Sequence, residues 1–555
     1  MRPLPWPRAR AAAVLSLCCA AGCRTDEADP KGDGGDTGQA ARALEPWQAP
    51  AELIGVANID DDDENGELDW DDGTTLAIDN ERVDLPLPAD LVAALAEGHS
   101  LLLTLSGEVE SIRVYADGQL VLGDGMLTAP VPTPTAEALS LQVEFEGFLN
   151  VGALDYSVVD ETMVEVDAGS IALLSAPLIL NHHLQPAEAV MAVDVGGGAW
   201  GNAAFIRTFE DTFGESFSTA TGGSVGWDVW MQDEIEFATL TAPGKRLDVV
   251  INSIRSQNGR YLDRYPTEQL RAPDMAVMTW GDGFPSSQDS FGNMEVTPPL
   301  SADGVDYPFG RIYYGDAGYA QVTPELRTLL DAQQVQAPIV LDVSWLCVGH
   351  VDEFMTFLPD PDAPRGFRLV YADTRLGFSF LEGQPAELDL PKYDAGHDYP
   401  TPGDMLSDTR LRAYNDDLQV NLDANLALLT EELDLQPDEI ILIPALFEAS
   451  PECGGGALSL ITGTVNMEVY TDPDGQGAVV LPPDPFFRSD TRDLPSDTFA
   501  AEIEALLPAS VEVVWTDDWS AYHLAWGEVH CGSNTIRTPT ADWWTDARAL
   551  IGGEL

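Results

Sequence analysis

Between residues 45 and 166 apolar and polar positions alternate over short stretches, notably 100–106, 111–115 and 140–148, with Gly, Pro and Asp turns between them. That period of two predicts a β-sandwich over residues 45–167. From residue 168 the pattern changes. Compact apolar runs at 247–251 and 338–343 alternate with helical spacing at 324–333 and 423–433, which predicts an α/β domain over 168–555. The long polar insertion 375–411 reads as a surface loop, and no short-period repeat indicates a solenoid.

At the N-terminus Arg2, Arg8 and Arg10 precede an apolar run over 11–22, too short to span a bilayer. Residues 1–22 are therefore expected to be a signal peptide. The run ends in Ala20-Ala21-Gly22-Cys23, which resembles a bacterial lipobox, although Ala20 stands where Leu is usual. A lipidated Cys23 on a polar tether over 23–44 is the expectation, with ordinary secretion as the alternative. The chain is thus expected to be exported and held at the outer membrane or cell surface by its lipid, or else secreted or periplasmic.

Lys and Arg number 27 against 93 Asp and Glu, a formal charge of −66, while 45% of residues are hydrophobic. Such a chain builds large cores but repels nucleic acid. The acidic field either attracts basic partners or serves solubility alone. Of the six cysteines, Cys18 and Cys19 fall in the signal peptide and Cys23 at the lipid site, which leaves Cys347, Cys453 and Cys531. Three scattered cysteines suggest no disulfide framework. Cys347 and Cys453 are read as structural thiols, and a nucleophile is worth seeking.

Two segments carry oxygen-ligand chemistry. Around Gly66 the run from Asn58 to Asp72 fits a calcium loop read from Asp61, with Asp61, Asp63, Asn65, Asp69 and Asp72 as ligands; the last position has Asp where EF-hands use Glu. The second segment runs from Trp227 to Glu236. If it is extended, Gln232, Glu234 and Glu236 share one face and Asp233 points to the other. Taken alone, an ordinary amphipathic strand is the favoured reading there. His350 and Asp352 follow the apolar run 338–343, and can line one pocket only where the chain is not yet helical. Cys531 lies in Gly527-Glu-Val-His-Cys-Gly-Ser-Asn534, where an extended run reaches a glycine turn able to present the thiol.

Several segments, in this order, resemble the catalytic domain of the calcium-dependent peptidylarginine deiminases known from vertebrates. They are W-M-Q-D-E-I-E from Trp230, D-S-F-G-N-M-E-V-T-P-P from Asp289, D-A-Q-Q-V-Q-A-P from Asp331, V-G-H-V-D-E-F from Val348, G-F-R-L from Gly366 and G-E-V-H-C-G-S-N from Gly527. The resemblance runs from about Ala168 to Trp544, and the segment at Asn58 resembles the start of the family's middle, immunoglobulin-like domain. It implies a five-bladed α/β propeller, the pentein fold. It also implies hydrolysis of peptidyl-arginine to peptidyl-citrulline and ammonia, with Asp233 and Asp352 gripping the guanidinium, Cys531 attacking and His350 moving protons.

The resemblance further implies several calcium ions. One would take Gln232, Glu236, Glu295 and the carbonyls of Phe291 and Met294; another would take Glu234, Asn252 and Ser253. In the preceding domain Asn58, Asp60, Asp62 and Asp72, with Asp274 from the catalytic part, form a ligand register different from the loop read from Asp61. Trp230, Arg255 and Asn534 are implied in substrate binding. The implied partners are proteins or peptides with accessible arginine, with no nucleic acid, no membrane contact beyond the lipid, and a homodimer left open. A pentein acting on free arginine or agmatine, and an inactive calcium-dependent surface binder, are the alternatives.

Overall fold

Leu101, Leu103 and Leu105 are buried while Leu102 and Ser106 face outward, so the period-two pattern is a strand, Ser100–Gly107, packed on one face. In the computed structural model, which describes residues 44–72, 81–134, 139–255, 261–281, 285–539 and 542–551, this strand lies inside a five-stranded sheet. A second sheet of four antiparallel strands contains Ile112–Ala116 and Ser140–Phe145. Leu101, Leu103, Ile112, Val114, Leu141, Val143 and Ile171 of the two sheets share one core, which makes a sandwich. The expected signal peptide and most of the tether lie outside the described residues.

The chain divides into two compact units: one holds residues up to Ile54 and Arg82–Ser175, the other Gly55–Glu81 and Ala176–Leu555. The expected boundary at 167/168 therefore falls inside a strand, Glu165–Ser175, which stays paired to Val151–Val159 up to Leu174. The candidate calcium run at 58–72 belongs to the larger unit, not to the sandwich.

In the larger unit one pairing pattern recurs in five small sheets. A central strand pairs antiparallel with one neighbour and parallel with the other. The central strands are Ala187–Asp194, Lys245–Asn252, Ile312–Asp316, Phe367–Asp373 and Ala478–Leu481. Their antiparallel neighbours are Ser533–Arg537, Ile235–Ala242, Met294–Val296, Met355–Pro359 and Glu468–Thr471, in the same order. Their parallel neighbours are Phe217–Thr221, Met275–Thr279, Ile339–Asp342, Ile440–Pro444 and Val511–Val513. Because Ser533–Arg537 pairs with Ala187–Asp194, the beginning and end of the unit share a sheet.

Two expectations are corrected here. The polar stretch 375–411 is mostly helical, with helices Thr374–Gly383, Pro391–His397 and Pro402–Ser407. Asp373 and Thr401 cap two of them through their side chains, and Phe378, Leu381, Tyr393 and Met405 are buried. The helix expected over 423–433 runs Thr409–Leu433, burying Leu411, Leu418, Leu422, Leu429 and Leu433 on one face. Secondly, Cys347 and Cys453 are not thiols but a disulfide, with Cα atoms 5.4 Å apart. A separation of 106 residues hid the pairing. Among the described residues no helix is long and apolar enough to cross a membrane.

Candidate active site

The antiparallel neighbour of each central strand is preceded by a short turn or loop, and each of these carries a residue of one cluster. The turn Met231–Glu234 carries Asp233, and Phe291–Asn293 carries Gly292. The turn Val351–Glu353 carries Asp352 with His350 at its head; Asn466 stands just before Glu468–Thr471; and His530–Gly532 carries Cys531. Residues 231–234 are thus helical, not extended, so Asp233 leaves the metal-ligand face by a helical turn and not by strand alternation. The extended run expected just before the cysteine turn is likewise a tight helical turn. His350 is still extended, as a shared pocket with Asp352 requires. Its backbone N–H and that of Gly349 both donate to Glu353 Oε1, at 2.8 and 2.9 Å.

These side chains converge. A Cβ placed on Gly292 would lie 2.9 Å from Asp352 Oδ2, 2.9 Å from His350 Nδ1 and 3.0 Å from Asp233 Oδ1. That point is open because residue 292 has no side chain. His350 Nδ1 lies 3.4 Å from Asp233 Oδ1, and Nε2 lies 2.9 Å from the carbonyl of Ser287. A carbonyl only accepts, so the proton sits on Nε2 and Nδ1 faces the open point. Asn466 Nδ2 donates to Cys531 Sγ at 3.3 Å and to the carbonyl of Asp352 at 3.2 Å, and its Oδ1 accepts from the Cys531 N–H at 3.2 Å. The Cys531 thiol is 3.5 Å from Asp352 Oδ2. Burial, then Asp352 and Asp233, push this thiol well above its ordinary pKa. Burial also raises Asp233, against the pull of His350 and Arg255.

A cleft of about 410 Å³ leads to these groups, lined by Trp230, Asp233, Arg255, His350 and Cys531 among others. A second cavity of about 170 Å³, walled by His397, Glu448, His523 and Glu528, also reaches Cys531. Trp230 packs edge-on to Tyr522 with ring centroids 5.7 Å apart. Arg255 borders the cleft but is turned inward. Its Nη2 donates to both oxygens of Asp228 at 3.1 Å and to the Trp230 carbonyl at 3.2 Å, and its Nε is 3.2 Å from Glu234. Asn534, expected at the substrate, donates its Nδ2 to the Ile235 carbonyl at 2.7 Å and so fastens the strand that bears Glu236.

The expected cation ligands fall into three groups. Gln232 Nε2 is 3.3 Å from Glu236 Oε2 and 3.4 Å from the Phe291 carbonyl, and Met294 opens the strand that carries Glu295. Burial, then Glu295, holds Glu236 well above the carboxylate range, and Glu295 Oε1 is buried with no hydrogen bond. Oxygens concentrated in this way fit a hard cation. At the second group Ser253 Oγ donates to the Asp289 carbonyl at 2.8 Å and accepts from Arg255 N–H at 3.0 Å, which leaves it one lone pair. Asn252 donates to the Asp263 carbonyl at 3.1 Å, and the guanidinium of Arg255 stands at Glu234, so a cationic side chain holds this place.

The third group holds both registers of the acidic run. Asp61 accepts from Asn65 N–H, Gly66 N–H and Arg271, at 2.8, 2.8 and 3.2 Å, so its carboxylate shapes the turn. Asn65 Oδ1 likewise accepts from Glu67 N–H at 2.8 Å. Asp61, Asp63 and Asp69 nevertheless present one oxygen each within 4.8 Å of one another. Asp60 gathers instead with Glu81 and Asp274 within the same limit, and burial, then Asp62, pushes it up to about 7. Asn58 is fully buried beside this run. The side chain of Asp72 lies outside the described residues.

The family model for Protein-arginine deiminase (PAD) matches residues 165–545. The chain belongs to the protein-arginine deiminase family. It is 33% identical to human protein-arginine deiminase type-4 over 426 residues, covering 74% of this chain and 62% of the relative. Against human type-1 the identity is 31% over 487 residues, covering 81% and 70%, and against human type-3 it is 35% over 332 residues, covering 57% and 48%. The chain thus spans 62% of the length of type-4 and 48% of type-3.

Sequence reasoning missed several residues of this deiminase-family site. Asn466 sits in an ordinary Val-Asn-Met stretch, and nothing local marks it as the partner of Cys531. Gly292 was quoted in a motif without a role. Glu81 lies nine residues past Asp72, outside any loop spacing. His530, adjacent to the cysteine, places Nδ1 3.0 Å from Asp352 Oδ2, and Asp352 and Glu295 lift it to about 9 despite burial.

Proposed function

We propose that this chain is a calcium-dependent protein-arginine deiminase, converting peptidyl-arginine to peptidyl-citrulline and ammonia. The observation that carries this reading is the convergence of Asp233, His350 and Asp352 on the open point at Gly292, with Cys531 on Asp352. Two carboxylates suit the flat donor fork of a guanidinium. Its positive charge between Asp233 and Asp352 favours ionisation of the thiol that those carboxylates otherwise oppose.

The thiolate of Cys531 attacks the central guanidinium carbon, forming a C–S bond. The C–N bond to a terminal nitrogen breaks and ammonia leaves with a proton relayed by His350. Water then adds to the same carbon, giving one proton to His350; as the C–S bond breaks the remaining hydroxyl proton passes to solvent, the ureido group of citrulline is released and the thiolate is restored. Asn466, donating to the sulfur and to the Asp352 carbonyl, keeps nucleophile and carboxylate in register throughout.

Calcium at Gln232, Glu236, Glu295 and the Phe291 and Met294 carbonyls supplies countercharge that fixes the turns bearing Asp233 and Gly292. Glu234, Asn252 and Ser253 would hold a second ion only if the guanidinium of Arg255, whose Nε stands 3.2 Å from Glu234, withdrew. The five sheets are proposed to close as a five-bladed propeller, because each delivers its site residue from the same position ahead of the strand that pairs antiparallel with its central one. Export is proposed from the apolar N-terminal run together with the Cys347–Cys453 disulfide, which suits an oxidising compartment.

The deciding experiment measures citrulline formed from an arginine peptide and from free arginine, with calcium and with chelator, in wild type and Cys531→Ala. Peptide turnover that needs both calcium and Cys531 is expected. Equal turnover of free arginine moves the reading to a small-molecule pentein, and no turnover by folded, calcium-loaded protein overturns it.

A further inference from the structure

Beside Asp352 stand two imidazoles and a carboxylate that the deiminase chemistry does not use as a set: His183, Glu295 and His530. All three are buried, and one donor atom from each lies within 4.8 Å of the others. His183 Nε2 is 3.2 Å from Glu295 Oε2, and His530 Nε2 is 3.5 Å from Glu295 Oε1. Ligands of a tetrahedral zinc-class ion, bound at about 2.1 Å, stand about 3.4 Å apart. Each imidazole stands about one such edge from its own oxygen of Glu295.

The opposite ring nitrogens are held as well. His183 Nδ1 lies 3.0 Å from Thr356 Oγ1, and His530 Nδ1 lies 3.0 Å from Asp352 Oδ2. Both rings are therefore oriented with Nε2 toward Glu295, as metal-ligating histidines are by their outer hydrogen bonds. Glu295 Oε1 is buried without a hydrogen bond. Arg537 shares this pocket, but its guanidinium donates to the carbonyls of His183, Gln185 and Val469 and lies 3.7 Å from Glu468, which balances its charge.

We propose that His183, Glu295 and His530 bind a borderline divalent cation of the zinc class, and that this ion and calcium exclude each other through Glu295. Two imidazole nitrogens favour such ions, whereas calcium takes oxygen. Glu295 belongs to both donor sets, so filling one removes a ligand from the other. The antagonism rests on the calcium reading above; the zinc site itself does not.

The test uses the full chain carrying Cys531→Ser, so that the thiol contributes no ligand and no turnover is required. Zinc is titrated in competition with a chromophoric chelator, and cobalt is added in parallel to read coordination from its visible spectrum. Expected are a four-coordinate cobalt spectrum and zinc affinity that falls at least roughly 100-fold in His183→Asn and roughly tenfold in Thr356→Val. Should His183→Asn not fold, Thr356→Val carries the same comparison. Unchanged affinity in the folded variants overturns the site. In the wild-type enzyme zinc should raise the calcium concentration needed for half-maximal citrulline formation, and do so less in His183→Asn. Zinc inhibition that leaves the calcium dependence unmoved overturns the antagonism.

Discussion

The thiol of Cys531 and the Oδ2 atom of Asp352 are 3.5 Å apart, so the nucleophile rests against a carboxylate that opposes its ionisation. Burial and the charges of Asp352 and Asp233 together hold the thiol well above its ordinary pKa in the substrate-free site. Removing a negative charge makes the thiolate easier to form. The rate of iodoacetamide modification, followed against pH, should therefore shift its midpoint to lower pH in Asp352→Asn, and by less in Asp233→Asn. An unmoved midpoint, or one displaced upward, would show that these carboxylates do not control the thiol.

Gly292 is the floor of the site, and its backbone needs no left-handed conformation, so only space is at stake. A methyl group there would stand 2.9 Å from Asp352 and His350 and 3.0 Å from Asp233, pushing all three outward. Displacement of catalytic groups by a fraction of an ångström to one ångström costs about 100-fold in rate. Gly292→Ala is expected to keep the wild-type circular dichroism and calcium binding while losing about that factor in kcat/KM for an arginine peptide. Wild-type turnover by the alanine variant would mean that the three groups do not act at this point.

Most of the chemistry was legible because its residues sit in contiguous stretches whose types are demanding: a Cys beside His, a His two residues from an Asp, and alternating carboxylates. What joins them was not. The shared position of these residues ahead of the strands that pair antiparallel with the central ones exists only once the sheets form, and each motif looks like an isolated turn along the chain. Asn466 and His183 become site neighbours through tertiary packing alone. The helix Thr409–Leu433 is legible only from residue 423 because Asn415 and Gln419 interrupt its apolar face before that point, and Asn425 interrupts it again beyond. Asn415 and Asn425 donate to the Phe447 and Asp342 carbonyls, and Gln419 accepts from Thr374 N–H, so polar residues are buried at a price invisible in the pattern.

Asp60, Glu81 and Asp274 place three carboxylate oxygens within 4.8 Å of one another, and Asp60 and Glu81 are buried. Like charges this close destabilise the calcium-free protein, and a bound cation relieves them. Calcium at 100 times its dissociation constant should stabilise the unit by about 2.7 kcal/mol. Glu81→Gln is expected to raise the thermal midpoint in chelator and to shrink the further rise on adding calcium. A calcium-induced rise as large in Glu81→Gln as in wild type would remove Glu81 from the ligand set.

Cys347 lines the cleft three residues before His350, and its disulfide to Cys453 ties that loop to the hairpin Phe447–Ser450 and Gly456–Ser459. The same junction is backed by hydrogen bonds of 2.9 Å from Cys347 N–H to the Ala457 carbonyl and from Ala457 N–H to the Trp345 carbonyl. These bonds hold the loop locally, but they do not restrict the unfolded chain as a covalent link across 106 residues does. Cys453→Ser is therefore expected to lose about 2–4 kcal/mol of stability. Because His350 follows the loop directly, kcat should fall as well, whereas KM for the peptide should change less, since Asp233 and Trp230 stand on a separate turn. Denaturant melts and citrulline assays of wild type and Cys453→Ser, each with and without reductant, separate the two effects. Reductant should bring the wild type to the level of the variant and leave the variant unmoved, whereas equal melts for oxidised wild type and Cys453→Ser would mean that the cross-link is idle.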